Sequence, residues 1–253
     1  MKPPRRIIAR LDIKGPNVIK GIHLEGLRVV GKPDEFARTY YEGGIDEFIY
    51  MDTVASLYGR NNLLPVVEQA AREIFVPLTV GGGMRTLDDI TAALRSGADK
   101  VAINTAAIQR PDFIREAAEA FGSQCVVVSI EAKQRSPGKW EALIDNGRER
   151  TGVDVIEWVR RCETLGAGEF LITSVDREGT QKGFDHALFA AVREAASIPV
   201  VGCGGAGRHE DVASALTGDD LDGVACASIF HYRKLGVGEL KSALQDAGVA
   251  VRS

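Results

Sequence analysis

Two glycine-rich segments with the same pattern lie about half a chain apart, and they constrain the fold more than any other feature. In each segment a proline and a short apolar run lead into a cluster of glycines, at residues 77–83 and again at 199–207. Glycines that end a strand leave bare backbone N–H groups where an anion can be held. The repetition indicates a duplicated architecture with two phosphate-binding loops.

The duplication extends beyond the glycines, because residues 46–53 align with 168–175 and residues 97–102 resemble 221–226. Apolar runs of strand length alternate with stretches of helical period, which is typical of βαβ units and a parallel sheet. Eight strands are predicted, at residues 6–11, 47–51, 76–80, 100–103, 125–130, 169–173, 199–202 and 223–227.

Eight parallel strands close a barrel, so the sequence predicts an α/β fold in which two similar (βα)4 halves form a single (βα)8 TIM barrel over residues 1–253. The segments 14–30 and 133–150 are predicted to be irregular inserts after the first and fifth strands. Helices are predicted at residues 33–43, 64–74, 87–97, 111–121, 153–165, 185–196, 210–217 and 238–247. The alternative is a doubly wound open sheet, but residues 202–207 do not fit a dinucleotide-binding fingerprint.

The charge of the chain is balanced, with a formal net charge of -4 and with acidic and basic residues interspersed. This pattern indicates neither a nucleic-acid surface nor a membrane-binding patch. The apolar residues before Asp12 are too few for a signal peptide or a membrane span. The four cysteines lie far apart and are predicted to be buried thiols, which favours a reducing cytoplasm over disulfides or metal ligands.

The sequence lacks the motifs of several enzyme classes, and their absence excludes those functions. The sequence contains no serine-hydrolase elbow, no P-loop and no zincin motif. No two histidines have the spacing of a metal pair, so no metal and no cofactor is predicted.

Two carboxylic acids are the leading catalytic candidates. Reactive groups in barrels of this kind project from the C-terminal ends of the strands. Asp12 and Glu131 end the first and fifth strands and would face each other across the mouth. Such a pair between two phosphate sites suits general acid–base chemistry on an elongated substrate with a phosphate at each end. The alternative is that these carboxylates only cap loops or pair with Lys14, Lys20 and Lys133.

A longer set of segments adds a family resemblance. Over nearly its whole length the sequence resembles HisF, the cyclase subunit of imidazole glycerol phosphate synthase in histidine biosynthesis. The matching segments are residues 6–8, 11–12, 18–21, 77–83, 97–101, 103–104, 121–125, 166–169, 176–177, 179–180, 204–207 and 227–231.

The resemblance implies a TIM barrel that takes ammonia from a glutaminase partner, HisH. The barrel would use this ammonia to split and cyclise a bis-phosphorylated ribulosyl-formimino nucleotide, PRFAR, into imidazole glycerol phosphate and an aminoimidazole carboxamide ribonucleotide. In this reading Asp12 and Glu131 are catalytic, and Lys20 belongs to a mobile loop over the substrate.

The resemblance also implies the remaining site residues. One phosphate falls to Gly82, Gly83, Asn104 and Thr105. The other falls to Gly179, Gly205, Ala227 and Ser228, with Glu178 in the same loop. A charged ring where ammonia enters would consist of Arg6, Glu47, Lys100 and Glu169, and the partner would contact Asp99 and Gln124.

Several positions depart from the family pattern, and all of them belong to the predicted catalytic mouth. Glu131 and Glu178 stand where the family has aspartate, Cys203 replaces a serine, and residues 14–17 differ from the usual first loop. An alternative function is therefore a HisF-like synthase that aminates or amidinates another phosphorylated or nucleotide-linked substrate. A further alternative is a non-catalytic partner of a glutaminase. The related isomerase HisA takes no ammonia and would not need the charged ring.

Overall fold

Parallel strands form a closed barrel in the computed structural model, which describes residues 3–53, 55 and 63–252. The strands of these residues are β1 (Arg6–Lys14), β2 (Asn17–Ile22), β3 (Glu25–Gly31), β4 (Glu47–Asp52), β5 (Leu78–Gly81), β6 (Lys100–Ile103), β7 (Val126–Ser136), β8 (Lys139–Ile144), β9 (Glu149–Asp154), β10 (Glu169–Ser174), β11 (Val200–Cys203) and β12 (Gly223–Cys226). The barrel strands, each bonded to the next and the last to the first, are β1, β4, β5, β6, β7, β10, β11 and β12. The predicted (βα)8 barrel is confirmed.

Alternate residues of the barrel strands face two different cores. On β1, Ile7, Ala9 and Leu11 belong to the large core under the helices, whereas Ile8 belongs to a smaller cluster. That smaller cluster fills the barrel interior and consists of Ile8, Ile49, Met51, Ala102, Val127, Leu171, Val201, Cys203 and Ala225. Burial on both faces explains why these strands read as nearly continuous apolar runs in the sequence.

Helices cover the outside of the barrel. Those of the described residues are α1 (Pro33–Glu42), α2 (Leu64–Glu73), α3 (Leu87–Arg95), α4 (Thr105–Gln109), α5 (Asp112–Phe121), α6 (Val155–Thr164), α7 (His186–Ala195), α8 (His209–Thr217), α9 (Ser228–His231) and α10 (Val237–Asp246). At the start of α3, the Thr86 hydroxyl accepts a bond from the Asp89 N–H, and the Asp89 carboxylate accepts one from the Thr86 N–H. The eight predicted helices agree with the structure to within two residues, and the short α4 and α9 are additional.

The two long segments after β1 and β7 are regular, so the prediction of irregular inserts is wrong. Each segment adds two antiparallel strands: β2 pairs with β1 and β3, and β8 pairs with β7 and β9. We call β2 and β3 the first hairpin, and β8 and β9 the second hairpin. Neither β3 nor β9 contains a buried residue, so their sequences lack the apolar alternation that reveals a half-buried strand.

Small differences in strand boundaries also have physical causes. β5 begins at Leu78 and not at residue 76, because Pro77 has no N–H to donate and offers only its carbonyl, which accepts a bond from Phe48. Cys125 ends a 3-10 turn, Ser123–Cys125, before β7, so this strand begins at residue 126 and not at 125.

Within the part of the chain that the structure describes, no helix has the length and apolar character needed to cross a membrane.

Candidate active site

Asp12 and Glu131 lie at the C-terminal end of the barrel, where the sequence places them. Asp12 is on β1 and Glu131 is on β7, halfway around the ring of strands, so the two carboxyl groups approach the mouth from opposite sides. Both side chains are buried. Lys133, which the sequence offered as a partner for these acids, pairs instead with Asp176.

Two cations face the carboxylate of Asp12. Nε of Arg10 donates to Oδ1 at 2.9 Å, and Nζ of Lys20 lies 4.0 Å from Oδ2. Burial alone would raise the pKa of Asp12, but Arg10 and Lys20 outweigh it and hold this pKa below its usual range. Asp12 is therefore a carboxylate at neutral pH.

Arg10 is a functional candidate that the sequence reasoning missed. The residue is only 2% exposed. Nη1 donates to the hydroxyl of Thr173 at 2.9 Å and lies 3.7 Å from the Cys203 sulfur. The sequence does contain an indication of this role, because Arg10 interrupts an apolar run. It lies two residues before Asp12 and therefore on the same face of the strand. A charge in such a position requires a partner.

Glu131 has a different environment from Asp12. Its Oε2 accepts hydrogen bonds from the Asn104 side-chain amide at 3.0 Å and from the Gly147 N–H at 2.7 Å. Burial raises the pKa of Glu131 to about 7, because Arg10 and the Gly147 N–H offset the desolvation only in part. The mouth thus contains one ionised carboxylate and one carboxyl group poised near neutrality.

The first glycine loop borders a cavity of about 170 Å³. The predicted phosphate residues Gly82, Gly83, Asn104 and Thr105 all line this cavity, together with Glu131. Gly82 has a φ of +92°, and a Cβ at this position would lie 2.2 Å from the carbonyl oxygen of Asp52. Only glycine therefore lets the loop pass so close to β4.

The second glycine loop borders a much smaller cavity of about 20 Å³. The predicted residues Glu178, Gly179, Gly205, Ala227 and Ser228 line it, and so do Arg10, Asp12 and Lys20. Barrels of this class commonly bind phosphate between the loops after the seventh and eighth strands and a short helix. These loops follow β11 and β12, and α9 is such a helix.

The first hairpin borders the second cavity through Lys20. Lys20 forms a buried ion pair with Glu178, whose other oxygen accepts a hydrogen bond from the Leu24 N–H at 2.8 Å. Leu24 also packs against Leu143 and Val175. A cavity of about 20 Å³ has room for roughly one water molecule, which is less than a phosphate group occupies. The Glu178 carboxylate holds the hairpin in this arrangement.

The four charges predicted to surround an entrance form a closed ring at the N-terminal end of the barrel. Glu47 accepts from Arg6 at 3.0 Å and from Lys100 at 2.8 Å, and Glu169 accepts from Lys100 at 2.7 Å and also pairs with Arg6. Burial would raise the pKa of Glu47, but Arg6 and Lys100 lower it below its usual range. Glu47 is therefore a carboxylate at neutral pH, and its neighbour Arg6 is a cation.

The two predicted partner contacts lie near this ring and are exposed. Asp99 directly precedes β6, and its carboxylate accepts a hydrogen bond from the Leu78 N–H at 2.8 Å. Gln124 lies in the turn before β7. Both residues are therefore available at the face opposite the catalytic mouth.

The cysteines and potential metal ligands add no second centre. All four cysteines are free and buried, which confirms the prediction of buried thiols. Over residues 3–53, 55 and 63–252, no group of three or more histidine, cysteine, aspartate or glutamate residues is arranged to hold a metal ion.

Comparisons with known proteins agree with this architecture. A family model described as "Histidine biosynthesis protein" matches residues 6–236. A Legionella pneumophila protein, imidazole glycerol phosphate synthase subunit HisF, is 61% identical over 206 residues, which cover 81% of this chain and 97% of that protein. The chain belongs to the HisF family. HisF is a cyclase subunit and a lyase-type enzyme, and the resemblance seen in the sequence is confirmed.

The positions predicted from the sequence to depart from the family pattern lie together at one end of this HisF-family barrel. Glu131 and Cys203 are buried at the mouth, and each faces the guanidinium of Arg10. Glu178 joins the first hairpin to the loop after β10. At the opposite end the four predicted ring residues form a closed circuit of ion pairs.

Proposed function

We propose that the chain is the ammonia-using cyclase subunit of an imidazole glycerol phosphate synthase. It would split and cyclise PRFAR to imidazole glycerol phosphate and an aminoimidazole carboxamide ribonucleotide. The observation that carries this proposal is the pair of buried carboxyl groups, Asp12 and Glu131, with opposite pKa shifts between two glycine loops of one barrel mouth.

Opposite pKa shifts suit acid–base chemistry on a substrate held at both ends. A carboxyl group with a pKa near 7 can donate or accept a proton at neutral pH, as Glu131 does in this proposal. The N–H groups of Gly82 and Gly83 would bind one phosphate, and those of Gly205 and Ser228 would bind the other.

Ammonia would enter from the opposite end of the barrel. The interior between the ring and the mouth is lined by Ile8, Ile49, Val127 and Leu171. Such an apolar passage favours neutral ammonia over ammonium, because an unpaired charge is costly to bury. The ring must open for each molecule, since its four charges are paired in a closed circuit. A HisH-like glutaminase at this face, near Asp99 and Gln124, would supply the ammonia.

The free, buried thiols favour a cytoplasmic location for this activity. We take the barrel over residues 1–253 as one functional domain. Its partners in this proposal are the glutaminase and a phosphorylated small molecule, and neither nucleic acid nor a membrane has a role.

The decisive experiment is turnover of PRFAR by the purified chain with ammonium chloride as nitrogen donor. We expect imidazole glycerol phosphate as a product and a loss of roughly 10²–10⁴-fold in kcat for Asp12→Asn and Glu131→Gln. A folded wild-type protein that gives no product at saturating ammonium would exclude PRFAR as the substrate. A folded Asp12→Asn variant that retains full biological activity would instead indicate a non-catalytic partner.

A second candidate is a HisF-like synthase that transfers ammonia to another phosphorylated or nucleotide-linked acceptor. The pairing of Arg10 with Asp12 favours it, because a carboxylate bound to a buried guanidinium is a weak base. Growth of a histidine auxotroph that lacks its own cyclase separates the two candidates. Rescue by this chain together with a working glutaminase supports the cyclase, and failure of the soluble protein to rescue supports the second acceptor.

A further inference from the structure

The guanidinium of Arg10 lies between the two carboxyl groups of the mouth. Arg10 starts on β1, the strand that also holds Asp12, and its Nη1 reaches the hydroxyl of Thr173 on β10 at 2.9 Å. Thr173 is the neighbour of Glu131 in the β7–β10 ladder. The arginine therefore spans the interior of the barrel from the strand of one acid to the strand beside the other.

The contacts of Arg10 with the two acids are unequal. Nε hydrogen-bonds Oδ1 of Asp12 at 2.9 Å, and Lys20 lies 4.0 Å from the other oxygen. Glu131 is held by neutral donors, the amide of Asn104 and the N–H of Gly147. Charge-assisted bonds favour the ionised form of an acid, while burial among neutral donors favours it much less.

We propose that Arg10 is a positioning residue that fixes Asp12 as a permanent carboxylate and leaves Glu131 as the carboxyl group that exchanges protons with the substrate. This inference rests on the proposed function and refines it. The nitrogen of ammonia bonds to the carbonyl carbon of the ribulosyl group, and the carbonyl oxygen leaves as water. When the same nitrogen closes the ring on the formimino carbon, the bond from that carbon to the departing nitrogen breaks, and the O–H proton of Glu131 passes to the departing nitrogen. The Glu131 carboxylate then recovers a proton from the ammonia-derived nitrogen, so atoms and protons balance over one turnover.

Other ionisable groups also face the mouth. Lys20 approaches from the first hairpin with Glu178 as its partner, and Cys203 approaches from β11. Burial lowers the pKa of His231 on α9 to about 4, so this ring is neutral above pH 5. Asp52 and Asp145 line the first cavity near Glu131. A measurement of this inference must therefore report on Asp12 and Glu131 individually.

The first test is a carboxyl ¹³C NMR titration between pH 4 and 9 of wild type, Arg10→Gln and Arg10→Lys. The Asp12 and Glu131 signals are assigned with Asp12→Asn and Glu131→Gln. We expect the Asp12 signal to be flat in wild type and Arg10→Lys but to titrate in Arg10→Gln. Arg38→Gln, which removes an exposed arginine from its pair with Glu73, serves as the control and should match wild type. A flat Asp12 signal in Arg10→Gln would overturn the inference.

The second test is a double-mutant cycle on ammonium-dependent turnover. If Arg10 acts through Asp12, Arg10→Gln lowers the activity of the otherwise wild-type protein. In a protein that already carries Asp12→Asn, adding Arg10→Gln should lower the activity by less than about threefold. If the activity loss of the double variant equals the product of the losses of the two single variants, the two residues act separately, and the inference is overturned. The double variant also removes both buried charges, so it provides a folded protein if Arg10→Gln alone does not fold.

The two tests separate this inference from the proposed function. The NMR titration needs no substrate, so an Asp12 signal that titrates only in Arg10→Gln supports the role of Arg10 even if PRFAR is not turned over. In wild type at saturating ammonia, turnover should fall as the pH rises above about 7, where Glu131 loses its proton. Arg10→Gln should add a fall on the acidic side, which Arg10→Lys should lack.

Discussion

Lys20 on β2 and Glu178 in the loop after β10 form a buried ion pair across the catalytic mouth. Because Glu178 also accepts hydrogen bonds from the Leu24 and His23 N–H groups, through its side chain and its carbonyl respectively, one residue holds both the strand and the tip of the first hairpin. The second glycine loop lies behind this contact. Glu178 therefore ties the first hairpin to the loop after β10 beside the second cavity.

The first prediction concerns this contact. Glu178→Gln keeps an acceptor for the Leu24 N–H but removes the charge that pairs with Lys20. Since breaking a buried ion pair at one partner costs about 3–5 kcal/mol, we expect amides of the first hairpin to exchange with deuterium at least about tenfold faster. Hydrogen exchange with mass spectrometry measures this. Glu116→Gln, which removes an exposed pair with Arg110, should leave the hairpin unchanged. Equal exchange in Glu178→Gln and wild type would show that the pair does not hold the hairpin.

The second prediction concerns the pH dependence of stability. Burial raises the pKa of Glu131 from about 4.5 to about 7, so the folded state binds more protons than the unfolded state between these values. Glu131 therefore makes folding less favourable as the pH rises through this window, by up to roughly 3 kcal/mol. Urea unfolding at pH 5 and pH 8 should show a larger loss of stability in wild type than in Glu131→Gln. Equal losses in the two proteins would mean that Glu131 has an ordinary pKa.

The barrel was predictable because its strands are buried on both faces and read as continuous apolar runs. The hairpins were not, because β3 and β9 are exposed and carry no pattern that separates them from loops. The pair of Asp12 and Glu131 was predictable, because each residue ends a strand and the two strands occupy equivalent places in the duplicated halves. The contacts of Arg10 could not be predicted from the sequence, because its partner Thr173 lies 163 residues away in the chain.

Asn104 illustrates the same limit. The family resemblance assigns it to a phosphate, whereas its side-chain amide donates to Glu131 and to the carbonyl of Leu143. The sequence places this residue at a strand end but does not fix the direction of its side chain. Only the second hairpin, which brings Leu143 to the mouth, determines that direction.

The third prediction compares two glycines, one at which a side chain would only strain the backbone and one at which it would also collide with a neighbouring strand. Gly82 and Gly248 both have left-handed backbones, with φ of +92° and +78°, but a Cβ at Gly248 would meet no atom within 4 Å. Gly248→Ala should therefore cost only the roughly 1–2 kcal/mol of the left-handed conformation. Gly82→Ala should cost about 1–3 kcal/mol more, because its Cβ would collide with the carbonyl of Asp52. Chemical denaturation measures both. Equal costs would mean that the loop shifts freely away from β4.

The last prediction concerns the face where ammonia enters. Phe75 lies between α2 and β5, in a connection on the same end of the barrel as the ring, and 77% of it is exposed. Its ring stands edge-on to Tyr41, with centroids 6.3 Å apart. The other large apolar side chains with such exposure among the described residues, Ile22, Val29 and Tyr232, follow the C-terminal ends of β1 and β12. An exposed aromatic residue beside the proposed entrance is suited to contact a partner subunit.

We therefore expect Phe75→Ser to weaken binding of a HisH-like glutaminase at least about tenfold, which corresponds to about 1.4 kcal/mol. Turnover with glutamine should fall at limiting partner concentration, whereas turnover with ammonium chloride should not change, because Phe75 is remote from the mouth. Arg115→Ser on α5 removes another exposed side chain, which pairs with Asp112, and should change neither activity. A parallel loss of glutamine-dependent and ammonium-dependent turnover in Phe75→Ser would place the defect in the barrel itself. Unchanged binding in Phe75→Ser would place the glutaminase contact elsewhere on this face.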